Sequence, residues 1–301
     1  MPEISEMLEV TENTEVCTET CNVCFHHCRL SEGTLGACRG RRMVDGKIIP
    51  ENYGRLTSIA LDPIEKKPLR RFKPGSMILS VGSYGCNLSC RFCQNYHIAA
   101  AGPDDGTGRW HSVRTQYVSP DELTSLALSE KRRGNIGVAF TYNEPLISWE
   151  YIRDSGRLLH DEGMPVVVVT NGTASQEVFS EIAPYVDAMN IDLKSFNPDY
   201  YKKICGGDLD MVKDFITAAA ASCHVELTTL IVPGENDSDD EMREIATWIA
   251  SLPNGREIPL HVSRFFPMHL MTEKNPTPVG TVYRLAGIAR EYLKYVYTGN
   301  C

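Results

Sequence analysis

The sequence predicts an α/β fold built on a parallel, twisted sheet, and three observations carry that expectation. Short apolar runs at 76–82, 136–141, 165–169, 187–193, 225–232 and 258–262 alternate with helical stretches at 120–133, 147–162, 175–183, 208–222 and 239–251. Alternation of this kind implies strand–helix–strand units with right-handed crossovers. Val166 to Val169 is an unbroken apolar run, as a parallel strand covered on both faces requires. With 301 residues and 42% hydrophobic content, the chain has enough material for one large domain plus a small appendage.

Taken in order, residues 1–16 are acidic and Thr/Glu-rich with little to bury, which predicts a flexible tail. Residues 17–56 are rich in cysteine and poor in long apolar runs. So small a segment needs a metal or a docking surface to become ordered. Residues 57–301 form the α/β domain. The helix near 120 has a well-marked start, because Ser119-Pro120-Asp121-Glu122 combines a capping box with proline at the first helical position. The basic stretch Glu65-Lys66-Lys67-Pro68-Leu69-Arg70-Arg71-Phe72-Lys73 is expected to be a solvated face. Periodicity does not say whether six such units close into a full barrel.

Polar residues recur where the strand runs end, which is where parallel α/β sheets gather their sites. The second run ends in Tyr142-Asn143-Glu144-Pro145, the third in Thr170-Asn171-Gly172, and the fourth in Asp192-Leu193-Lys194. The fifth ends in Pro233-Gly234-Glu235-Asn236-Asp237, and the last carries His261. Caps and turns are the common fate of Asn, Asp and Gly at such places. Recurrence at strand after strand favours a site.

Charge and composition exclude several classes. A net charge of −9 argues against a general nucleic-acid partner. No apolar stretch approaches the length that crosses a bilayer, and the opening residues are acidic without an apolar core, so a cytoplasmic protein is expected. There are eleven cysteines, and eight of them fall before residue 94, a clustering that favours metal ligands over disulfides.

The densest chemistry is Gly85-Cys86-Asn87-Leu88-Ser89-Cys90-Arg91-Phe92-Cys93-Gln94-Asn95, which follows the first strand run. Three thiolates so closely spaced can hold three irons of one cubane and leave the fourth iron open to a substrate or cofactor. The blander readings are a structural zinc knuckle, for which His97 is the nearest imidazole, or three unrelated thiols. With Phe92 before the last cysteine, the triplet resembles the signature of the radical S-adenosylmethionine superfamily. That resemblance implies a partial (β/α)6 barrel, a [4Fe–4S] cluster on Cys86, Cys90 and Cys93, and S-adenosylmethionine bound at the open iron.

Further residues follow from the same resemblance. Tyr142, Asn143 and Glu144 stand where the superfamily often has Gly-Gly-Glu, with Glu144 placed for the ammonium of the methionine part. Asn171 ends the third run, and Asp192 and Lys194 match an Asp-x-Lys element of glycyl-radical activating enzymes. His261 matches a histidine near the ribose. A fuller correspondence runs from Cys21-x2-Cys24-x3-Cys28 with Cys38, through Asp62 to Leu69, to His261–Pro267. By it the chain is similar to the AmmeMemoRadiSam radical SAM family, related to pyruvate formate-lyase activating enzymes. The implied activity is reductive cleavage of S-adenosylmethionine to a 5′-deoxyadenosyl radical that takes hydrogen from a small-molecule or protein substrate, a glycyl-radical enzyme among the candidates. A reducing donor such as ferredoxin or flavodoxin is implied as well, with no nucleic-acid or membrane partner. The rival class is a non-catalytic iron–sulfur electron-transfer or metal-binding protein, which would not need six βα units.

Cys21, Cys24, Cys28 and Cys38 make a second group of four thiols in eighteen residues. Structural zinc is the favoured expectation because the nine-residue gap looks like a knuckle loop, and a second iron–sulfur cluster suits the same spacing. His26 and His27 are spare ligands, and Cys17 repeats the triplet spacing without an aromatic before its third cysteine. Cys205, Cys223 and Cys301 are read as scattered free thiols.

Overall fold

The computed structural model describes residues 18–104, 108 and 111–301; the acidic tail 1–16 and Cys17 lie outside them. Its centre is an eight-stranded sheet whose strands follow one another in space as in sequence. They are β1 (Ser58–Pro63), β2 (Met77–Gly82), β3 (Asn135–Phe140), β4 (Val166–Thr170), β5 (Ala188–Asp192), β6 (His224–Ile231), β7 (Leu260–Arg264) and β8 (Val296–Gly299). β1 runs antiparallel to β2, and every later neighbour is parallel. Six crossovers join the seven parallel strands, carrying α1 (Pro120–Ser129), α2 (Trp149–Asp161), α3 (Gln176–Ile182), α4 (Leu209–Ala220), α5 (Asp239–Ser251) and α6 (Val279–Ala289). β1 and β8 are the two edges of the sheet, so the barrel is partial.

The six strand runs read from the sequence are β2 to β7, each within about two residues. β1, β8 and α6 are not legible in that pattern; the two edge strands are only partly buried and so lack a continuous apolar run. The start of α1 is as expected. Ser119 Oγ accepts from the Glu122 N–H at 3.2 Å, and Glu122 Oε2 accepts from the Ser119 N–H at 2.7 Å.

Strand alternation divides the apolar residues into two sets. Leu79, Val138, Val166, Val168, Met189, Ile191 and Leu227 belong to the large core shared with the helices. Ile78, Ala139, Val167 and Ala188 form a separate small cluster with Ile64 and Leu69. The chain after β1 therefore crosses the other face of the sheet and plugs it. Residues 65–73 are a solvated face only in part: Lys66, Arg70, Arg71 and Lys73 are exposed, while the rest of the segment packs against the sheet. Leu69 and Lys67 are buried, Pro68 O accepts from Asn190 Nδ2 at 2.9 Å, and the Arg70 and Arg71 amides donate to Glu226 at 3.0 and 2.6 Å. Sequence charge misleads here because the backbone of those residues, rather than their side chains, meets the buried carboxylate.

Residues 18–56 hold two short antiparallel pairs, Thr18–Thr20 with Arg29–Ser31 and Arg41–Val44 with Lys47–Pro50. They dock on the sheet and α2: Arg41 reaches Glu150 at 2.6 Å, Tyr53 Oη donates to Asp154 at 2.8 Å, and Val23 O accepts from the Ser175 amide at 2.9 Å. No described helix is long and apolar enough to cross a membrane.

Candidate active site

A cavity of about 300 Å³ opens at the carboxyl ends of the strands. Cys86, Cys90 and Cys93 line it, together with Tyr142, Asn143, Glu144, Asn171, Asp192 and Lys194. Nine of the ten residues singled out for cluster and S-adenosylmethionine thus meet at one place. The tenth, His261, is not among the lining residues. Its Nε2 lies 2.6 Å from Glu226 Oε2, beside the amides of the plug.

The cysteine loop is held from two sides. The Ser89 and Arg91 amides donate to Cys205 O and Ile204 O at 2.8 and 3.0 Å, in a π-helical turn spanning Tyr201–Cys205. Single π-turns are frequent at functional sites. Gly206 and Gly207 follow, and a Cβ on either would stand 2.4 Å from Ser89 Oγ or 2.6 Å from Leu88 Cδ2. The Cys205 thiol is fully buried and hydrogen-bonded to Cys90. The sequence reads it as a scattered thiol, because it lies 112 positions beyond Cys93 and nothing local marks it. The hydrogen bond with Cys205, then burial, raises the Cys90 thiol well above its ordinary pKa; burial does the same for Cys86 and takes Cys93 to about 11. As bare thiols the three resist ionisation.

Glu144 is 2% exposed and braced by three donors: the Leu146 amide at 3.0 Å, Thr170 Oγ1 at 2.7 Å and the Asn171 amide at 2.8 Å. Burial outweighs these hydrogen bonds and lifts its pKa to about 7. Lys194 Nζ lies 2.7 Å from Asp192 Oδ2. Burial would lower the lysine, but Asp192 and the thiols of Cys90 and Cys205 outweigh it and raise its pKa well above the ordinary value. Asn171 Nδ2 donates to Asn87 Oδ1 at 2.9 Å and approaches Cys86 Sγ at 3.7 Å.

Tyr142 carries the local strain. Its φ is +76°, the left-handed conformation that glycine adopts freely and a bulky residue resists. The conformation is fixed from both ends. Asn95 Nδ2 donates to Tyr142 O at 2.8 Å, while Tyr142 Oη donates to Asp62 at 2.8 Å and stands 3.3 Å from Lys67 Nζ. Gly82 leaves room for the ring, since a Cβ there would lie 2.6 Å from Tyr142 Cδ2. Burial would raise Asp62, but hydrogen bonds from Lys67 and Tyr142 outweigh it and hold the carboxyl well below the usual range.

Comparison with known proteins agrees with this geometry. The model of the radical SAM superfamily matches residues 80–249. An uncharacterised protein of Methanocaldococcus jannaschii is 37% identical over 282 residues, covering 93% of this chain and 80% of the relative. The pyruvate formate-lyase-activating enzyme of Clostridium pasteurianum is 26% identical over 208 residues, covering 68% of this chain and 80% of that enzyme. Streptococcus suis SuiB, in a crystal structure with S-adenosylmethionine, shares the fold with a TM-score of 0.55 at 15% identity, over 74% of this chain and 52% of SuiB. The chain therefore belongs to the radical SAM superfamily, in a family related to the pyruvate formate-lyase activating enzymes.

Proposed function

We propose that this enzyme takes a hydrogen atom from a polypeptide substrate, with Cys86, Cys90 and Cys93 holding the cluster and Glu144, Asp192 and Lys194 orienting S-adenosylmethionine. The observation that carries the reading is the meeting of three thiols and two buried or paired carboxylates around one cavity at the strand ends. Family membership implies a [4Fe–4S] cluster and S-adenosylmethionine, and the residues suit both. Three cysteines line the cavity, and Cys205, the thiol beside them, is not among the lining residues. Held by these three thiols, a reduced cluster would supply the electron for reductive cleavage of S-adenosylmethionine to methionine and a hydrogen-abstracting 5′-deoxyadenosyl radical.

The protein's own share is positioning and charge. Glu144 keeps its carboxylate fixed by three donors, so a ligand ammonium meets an acceptor already in place. Such an ammonium favours the ionised form of a carboxyl that burial has raised to about 7. Lys194, held by Asp192, offers a cation to a ligand carboxylate. Leu88, Phe92, Val169 and Leu230 supply apolar lining that limits water around a reactive intermediate.

A polypeptide substrate is supported by the relatives, which include activating enzymes for pyruvate formate-lyase and 4-hydroxyphenylacetate decarboxylase. It is also supported by the exposed side chains of Tyr96, Met268 and Leu270 beside the cysteine loop, where the Leu270 amide donates to Arg91 O at 2.8 Å. A glycyl-radical enzyme is the most specific member of this substrate class, and a low-potential carrier such as ferredoxin or flavodoxin is the matching donor.

The test is anaerobic reconstitution with iron and sulfide, reduction with dithionite in the presence of S-adenosylmethionine, and assay for 5′-deoxyadenosine. Product that disappears in Cys93→Ala supports the reading. A protein that assembles no four-iron cluster under these conditions overturns it.

A further inference from the structure

The second cysteine group packs directly against the catalytic loop. Cys21, Cys24 and Cys38 are buried, Cys28 is half-buried, and Cys24 interacts electrostatically with each of the other three thiols. Main-chain N–H groups point at their sulfurs: His26 at Cys24, Gly40 at Cys38, and Ala37 at Cys28 over 3.4 Å. Two of these are contacts from a cysteine to the amide two residues on. The same contact recurs at Cys86 with Leu88, at 3.4 Å, and at Cys93 with Asn95. The amino-terminal group is thus built in the same local pattern as the catalytic one.

The two groups are also in contact. Asn87, next to Cys86, meets the Cys24 thiol with its side chain, and its carbonyl lies 2.9 Å from His26 Nε2. That contact engages His26 away from the thiols. Gly85 has φ +84° and sits so close to the Cys38 backbone that a Cβ would lie 2.6 Å from Cys38 O. Arg39 interacts electrostatically with both Cys38 and Cys86. Among the described residues, no three His, Cys, Asp or Glu side chains are arranged around a single metal ion, and this holds for Cys86, Cys90 and Cys93 as much as for the amino-terminal four.

We propose that Cys21, Cys24, Cys28 and Cys38 hold a second, fully cysteine-ligated iron–sulfur cluster that abuts the catalytic one. Mononuclear zinc is the rival occupant. The proposal stands apart from the catalytic reading, because it is tested in a protein that lacks the catalytic thiols.

The experiment is metal analysis and electron paramagnetic resonance of the reconstituted full chain. The wild type is expected to bind about eight irons, and a Cys86→Ala/Cys90→Ala/Cys93→Ala variant about four. The reduced signal of that variant should not respond to S-adenosylmethionine. In the doubly reduced wild type the two signals should broaden each other, since the sites are neighbours. A Cys24→Ser/Cys38→Ser variant should keep the S-adenosylmethionine-responsive signal alone. If that variant fails to fold, the triple-alanine protein and the wild type still decide the matter. A triple-alanine variant that binds no iron, whether with about one zinc or with no metal, overturns the proposal.

Discussion

At the scale of single residues, charge placed by strand ends decides what the cavity accepts. Hydrogen bonds to charged groups contribute about 1.5–3 kcal/mol, so Lys194→Ala is expected to weaken S-adenosylmethionine binding by roughly tenfold to a hundredfold. Iron content should stay unchanged, and equilibrium binding to the oxidised, cluster-loaded protein checks it. Cys205 stands beside the three proposed cluster ligands. Its thiol is hydrogen-bonded to Cys90, and hydrogen bonds to ligand sulfur are among the determinants of an iron–sulfur potential. Cys205→Ala should still assemble the cluster but shift its reduction potential to a more negative value. An unchanged potential in redox titration would show that the contact has no electronic effect.

At the scale of elements, helix starts and close approaches are where sequence writes structure most directly. Ser119 closes the first turn of α1 with a complete capping box. Its loss costs about 1 kcal/mol. Ser119→Ala should lower the melting temperature by about 2 °C while leaving 5′-deoxyadenosine formation intact, α1 being remote from the cavity lining. Gly82, at the end of β2, makes a contrasting case. A methyl group there meets the Tyr142 ring, which is tied to Asp62 and to Asn95. Gly82→Ala should therefore reduce S-adenosylmethionine cleavage far more than it lowers stability, with rate and melting curve measured on the same sample.

At the scale of the whole molecule, the plug between β1 and β2 is fastened by one buried carboxylate. Glu226 accepts from the Arg70 and Arg71 amides and pairs with His224 and His261. Burial would raise its pKa, but these hydrogen bonds outweigh it and lower it from 4.5 to about 2. A depressed pKa means that the folded protein holds the proton less tightly than the unfolded chain. The stabilisation is complete above pH 4.5 and is lost as pH falls toward about 2. Wild-type melting temperature should fall through that window. Glu226→Gln should start about 3 kcal/mol less stable at neutral pH, because the histidines and amides lose their charged acceptor, and should fall less steeply in acid. Parallel melting curves for the two proteins would contradict this account.

Local sequence determined the catalytic triplet, the alternation of β2 to β7 with their helices, the cap at Ser119 and the polar residues at the strand ends. Each is written within about a dozen residues, where spacing and periodicity act directly on backbone and ligand geometry. Tertiary structure decided what depends on residues far apart in the chain. It brought Cys205 to Cys90, turned the basic stretch after β1 into the plug over Glu226, and set His261 against that carboxylate. It also seated the amino-terminal thiols on Asn87. Burial reverses the meaning of a charged side chain, and burial is a property of the folded chain as a whole.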